Sequence, residues 1–147
     1  MIFRRSWPPI WPKADGRFGF ALPPETCDLI VELGGQLGGV LGQDSPVLRR
    51  LFPTAYPDDP DRDAGYQVFA RGELIERRQD AVATVAATAD RDDLEASELY
   101  AWMWVVNDLR LVLGTQLDIQ EGDDPEVRDD DPAAHLIEVY HGLGAVL

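Results

Sequence analysis

The sequence predicts a mainly α, single-domain protein. It reads as a bundle of four to five helices around a central buried helix, Ala96–Leu117, with a small N-terminal β element. Three observations predict this. Leu99, Trp102, Met103, Val106, Leu109, Leu113 and Leu117 recur at the i, i+3, i+4, i+7 spacing of a buried helical face. Tyr100, Trp104, Leu111 and Thr115 form a second stripe, and a helix apolar on all sides belongs at the centre of a bundle. Finally, 147 residues suffice for one domain with its own core.

Taken in order, residues 1–12 read as an N-terminal arm in which Arg4, Arg5, Trp7 and Trp11 stand among three prolines. Pro9–Lys13 and Arg17–Leu22 read as two short strands, joined by a turn at Ala14-Asp15-Gly16. Pro23–Leu41 is the first helix, opened by prolines and with Glu25 and Asp28 where the helix dipole favours acids. Gly34, Gly35, Gly38 and Gly39 cost it about 1 kcal/mol each in propensity. That suggests close approach of another helix, inside the bundle or across the two-fold axis of a homodimer.

Asp44-Ser45-Pro46 is a helix-start signal for a short helix, Pro46–Phe52, stopped by Pro53. A proline- and acid-rich loop follows. Ala64–Ala89 reads as a long helix with Tyr66, Phe69, Leu74, Ala81 and Val85 along its inner side. A break at Asp90–Asp93 precedes the central helix, and Gly114 marks a potential bend in it. Asp118–Asp131 is an acidic loop holding eight acids against Arg128. Asp131-Pro132 repeats the cap-then-proline signal for a last helix through about Val146, with Leu136, Ile137, Tyr140 and Leu143 facing inward.

NDLRLVLGTQLD in the central helix, with LFPTAYPDD upstream, resembles an actinobacterial family of uncharacterised proteins. The resemblance extends over most of the chain. Two departures are visible: Gln116 stands where the family usually has Arg, and the family's last helix usually runs further. Members of that family are often encoded beside the Clp-protease adaptor for N-degrons, and near sulfur-carrier and cysteine-synthesis genes. The resemblance therefore implies a genomic neighbourhood but no activity.

The net charge of −14 is unevenly placed. Residues 1–57 carry six basic and five acidic groups, a balance of +1, whereas residues 58–147 carry seven and twenty-two, a balance of −15. A surface this acidic repels phosphate backbones, so no nucleic-acid binding is expected. No uncharged run is long enough to span a membrane, and no signal-peptide pattern is visible. The single cysteine, Cys27, fits a reducing cytoplasm and a small buried hydrophobe.

Several chemistries lack their residues. Asp59, Asp61 and Asp63 imitate a calcium loop, but Ala70 stands where its bidentate Glu belongs. Glu138-x-x-His141 is half of a di-iron motif without a second copy, and His135 and His141 lie about 120° away from a common face. Ser45 and Ser97 sit at helix starts, outside any nucleophile turn, and no phosphate-binding glycine loop follows a strand. No cofactor or metal is expected.

Asn107, Asp108 and Arg110 are the charged and polar interruption of the central helix. Asp108 and Arg110 project about 200° apart, so each needs a partner on another element. They either lock the register of the core or line a cleft in which Arg110 grips a carboxylate or phosphate. The leading expectation is a non-enzymatic cytoplasmic interaction or regulatory module that binds a protein partner or a second copy. A small ligand-binding protein or enzyme with its cleft at Arg110 is the alternative, ahead of a nucleic-acid-binding regulator. The basic, aromatic arm is a candidate docking element.

Overall fold

The computed structural model describes residues 10–43, 45–120, 122–126, 128 and 130–146. Arg4, Arg5 and Trp7 lie outside them.

The chain starts with the hairpin β1 (Ile10–Pro12) and β2 (Phe18–Phe20). Lys13 N–H donates to the Arg17 carbonyl at 2.8 Å, and Gly16 takes φ +84°, a value that L side chains rarely adopt. A third strand, β3 (Asp93–Leu94), pairs antiparallel with β2, giving the order β1-β2-β3. The sequence reading takes this segment only as a break. Trp11 is therefore part of a strand, not of a free arm. It pairs with Gly19, and its ring fills the space that a Cβ at Gly19 would need.

Charge ties the sheet together across its sequence separation. Arg17 Nη2 donates to Asp93 at 2.9 Å, and Lys13 Nζ donates to the other oxygen at 2.9 Å. These bonds hold the Asp93 carboxyl down at about 2, Arg17 contributing most and Lys13 next.

Four helices follow among the described residues: α1 (Pro24–Val40), α2 (Pro60–Thr88), α3 (Ala96–Gln116) and α4 (Ala134–Val146). The expected short helix is only a 3-10 turn, Pro46–Leu48. Helix α2 begins four residues earlier than its apolar pattern suggests. Asp59 accepts from Arg62 N–H at 3.1 Å, and Asp63 accepts from Ala55 and Tyr56 N–H at 2.7 and 3.1 Å. Two of the three calcium-loop carboxylates thus cap a helix and pin its approach.

Helix α3 is central, packing against α1, α2, α4 and the 3-10 turn. Its Trp102 is buried, tilted against Phe20 at 4.8 Å, and donates Nε1–H to Thr88 Oγ1 at 2.8 Å. That bond satisfies the one polar group of a deeply buried indole. Around it Ile30, Leu37, Val85, Val105, Val106 and Leu109 form a contiguous core. A Cβ on Gly34 would lie 3.2 Å from Val105, and one on Gly38 would lie 3.7 Å from Val82. The close approach served by these two glycines is therefore inside the bundle.

The inner side assigned to α2 needs correction at its first half. Tyr66 and Phe69 are 42% and 88% exposed, while Ala81 and Val85 are buried. On a helical wheel Phe69 is rotated about 160° from Val85, so the two cannot share a face.

Helix α3 ends in a Schellman motif. Ile119 N–H donates to the Gly114 carbonyl at 2.8 Å and Asp118 N–H to the Thr115 carbonyl at 3.2 Å, with Asp118 left-handed at φ 54°. Gly114 itself lies under Arg50 and Tyr140: a Cβ there would be 2.7 Å from Arg50 Nη1 and 3.5 Å from Tyr140. Arg50 reaches across to donate to the Ile119 carbonyl.

Candidate functional site

The polar interruption of α3 divides into three different environments. Asp108 is buried, and its Oδ2 lies 3.1 Å from Arg78 Nε on α2. Desolvation raises its carboxyl above the usual range, and the Arg78 charge partly opposes that rise. Arg110 is half-buried and takes no carboxylate partner among the described residues. Its guanidinium lies 4.8 Å over the Tyr140 ring, and its Nε is buried without a hydrogen-bond acceptor there. Asn107 is exposed and extends neither contact. The three residues are therefore not one network, and Arg110 is folded under α4 rather than along a cleft.

Helix α4 explains where α3 is covered and where it is open. Tyr140 meets Gly114, and Gly144 meets Arg110, so four residues forward on α4 match four residues back on α3. The helices run antiparallel, and α4 ends at Val146, near the level of Asp108. Further along α3, Tyr100, Met103 and Trp104 are 62%, 43% and 52% exposed. With Asn107 they make an i, i+3, i+4, i+7 stripe that continues the line α4 occupies. The sequence reading places Met103 on the buried face and treats α3 as apolar all round, and both points are corrected here. The helix has an open side, and that side is aromatic.

Residues 45–52 contribute a second feature. A recess of about 330 Å³ is lined by Ser45, Leu48, Arg49, Phe52 and Arg71. The Arg71 guanidinium stacks 4.5 Å from the Phe52 ring, and Arg78 lies 5.3 Å from the same ring. Arg49 and Arg71 are distant in sequence, and only the packing of α2 brings them to one recess.

The thiol of Cys27 is 4% exposed and borders a recess of about 390 Å³ that includes Asp28, Asp90 and Asp92. Burial, then the Asp28 charge, push it up to about 11. A thiol in that state is a poor nucleophile at neutral pH. The acidic loop is tethered to α4 by His141, whose Nε2 donates to the Pro125 carbonyl at 2.6 Å. No helix among the described residues is long and apolar enough to cross a membrane.

Comparison with known proteins adds relatives but no template. No solved structure matches. The oxidative stress regulator AosR of Mycobacterium tuberculosis is 28% identical over 180 aligned positions, covering 95% of this chain and 83% of that protein. The same figures hold for the AosR of Mycobacterium bovis. A putative oxidative stress regulator AosR of Mycobacterium leprae is 27% identical, covering 94% and 81%. Residues 19–147, which include most of β2 and the four helices described above, match one family model, and the chain belongs to that family, a domain of unknown function designated DUF2017.

Proposed function

We propose that the protein is a regulatory, non-enzymatic module that acts by binding another protein through the open face of α3. The observation that supports this is the exposure of Tyr100, Met103 and Trp104 together on the helix that otherwise organises the core. Aromatic residues and Met are enriched where proteins meet, and leaving them in water is unfavourable. The relatives named oxidative stress regulators support a regulatory role in the same direction.

The face is a half-groove aligned with α4, which suits a helical segment of the partner. A net charge of −14 favours a partner that is apolar at the contact and basic around it. The same charge works against a second copy of this chain as occupant, and against nucleic acid. We place the contact in the cytoplasm. The gene neighbourhood implied by the family resemblance makes protein turnover one process that such a contact would serve.

The test compares the wild-type chain with Tyr100→Ala/Trp104→Ala as bait in native cytoplasmic extract. Because both side chains face solvent, the variant should melt within a few degrees of wild type. A protein captured by wild type and lost by the variant supports the reading. Equal capture by both moves the interface off α3. A wild-type dimer in light scattering that the variant converts to monomer makes the occupant a second copy and overturns the heterologous partner.

A further inference from the structure

We propose that the recess between residues 45–52 and α2 is a binding site for a small oxyanion ligand, a molecule bearing a phosphate or carboxylate group. Three features converge there. Arg49, Arg71 and Ser45 all line one recess of about 330 Å³. That volume is at the lower end of the range for small-molecule sites.

Among the described residues the charges in it are unanswered. Acids outnumber basic groups 27 to 13 in this chain, yet no ion pair among the described residues involves Arg49 or Arg71. Arg78, on the same side of α2, shows the contrast: its charge is met by Asp108 at 3.1 Å. Arg71 makes one long hydrogen bond, 3.5 Å to the Gln43 carbonyl, and its guanidinium lies 4.5 Å over the Phe52 ring. A stacked guanidinium is pre-oriented, and its donor edge remains available for a planar or tetrahedral oxyanion. Ser45 makes no capping bond with its side chain, although it precedes the 3-10 turn.

The surrounding negative charge shapes the binding. At long range the protein repels anions, so attraction is confined to the short-range contacts in the recess. The size of the recess admits a single small molecule, and the site is separate from the α3 face.

The experiment is calorimetric titration of the full chain with inorganic pyrophosphate and, separately, with citrate, at low ionic strength. One site per chain is expected for at least one of them. A preference for pyrophosphate identifies phosphate as the recognised group, and a preference for citrate identifies carboxylate. Arg49 is exposed, so Arg49→Gln should fold as wild type does, which circular dichroism checks. It should weaken binding roughly tenfold or more, the scale of one lost charged hydrogen bond. Absence of binding by wild type to both anions, or equal binding by wild type and Arg49→Gln, overturns the proposal.

Discussion

Asp108 on α3 and Arg78 on α2 meet at 3.1 Å with both side chains largely out of water. Thirty positions separate them in sequence, and their contact fixes the relative height of the two longest helices. An ion pair in this setting contributes little net stability, because desolvating both charges offsets their attraction. Removing one partner is a different matter, since it leaves the other charge buried and unpaired.

Asp108→Ala should therefore destabilise the protein by about 3–5 kcal/mol. Asp124→Ala, on the exposed acidic loop, should cost under about 0.5 kcal/mol. The double change Asp108→Leu/Arg78→Met should recover much of the loss, because no charge is then stranded. Urea denaturation of the four proteins checks this. A double variant no more stable than Asp108→Ala would mean that the stranded Arg78 charge is not the cause of the loss. Mild acidification should raise the stability of wild type relative to Asp108→Leu/Arg78→Met. The folded carboxyl is raised, so its burial penalty is full above the folded pKa and is relieved as pH falls through it.

Asp93 has the opposite sign. Its folded carboxyl is held at about 2 by Arg17 and Lys13, below the ordinary 3.8. The stabilisation is full above about pH 4 and is lost as pH falls from there through about 2. Wild type should melt above Asp93→Asn at pH 5, and the two curves should converge near pH 2. High salt should shrink the difference at pH 5, because the partners are near the surface. A gap independent of pH would assign the Asp93 effect to the shape of the strand pair instead of its charge.

What the sequence disclosed, and what it did not, follows from how local each signal is. The periodic leucines and Trp102 announce α3 because helical spacing is a local property. Its open side is not announced, since Tyr100, Met103 and Trp104 are the same residue types that fill cores. Only the stopping point of α4 distinguishes them. The need of Asp108 for a partner is legible from one apolar helix, but the choice of Arg78 depends on packing. Strand β3 is only two residues long, and its pairing with β2, like the contacts of Asp93 with Arg17 and Lys13, joins residues far apart in sequence. Phe69 misled for a simpler reason: an apolar residue near a helix start suggests burial, and its angle from Val85 was the better guide.

The left-handed Asp118 gives a prediction in the stabilising direction. It occupies the position after the α3 cap at φ 54°, where a glycine carries no Cβ penalty. Asp118→Gly should stabilise the protein by about 0.5–1 kcal/mol, even though it removes the 3.0 Å hydrogen bond from Gln120. A rise of a few degrees in melting temperature is the expected outcome. A fall would show that the side-chain bond outweighs backbone strain at this helix end.

The last prediction concerns how a relative of oxidative stress regulators could sense anything through its single thiol. Cys27 is 4% exposed, pushed up to about 11 by burial and then by Asp28, and borders a recess also lined by Asp28, Asp90 and Asp92. At pH 7.5 fewer than about one in a thousand molecules carries the thiolate, which is the reactive form. Alkylation of the native chain should therefore be slow and limited by opening of the α1 segment. Iodoacetamide, being neutral, separates this from simple repulsion of an anionic reagent. Labelling should be at least a hundredfold faster in urea than in buffer, and Asp28→Asn should accelerate native labelling only modestly, since burial is the larger cause. Rapid stoichiometric labelling of the folded protein would contradict the buried placement of Cys27. It would also reopen the thiol as an input.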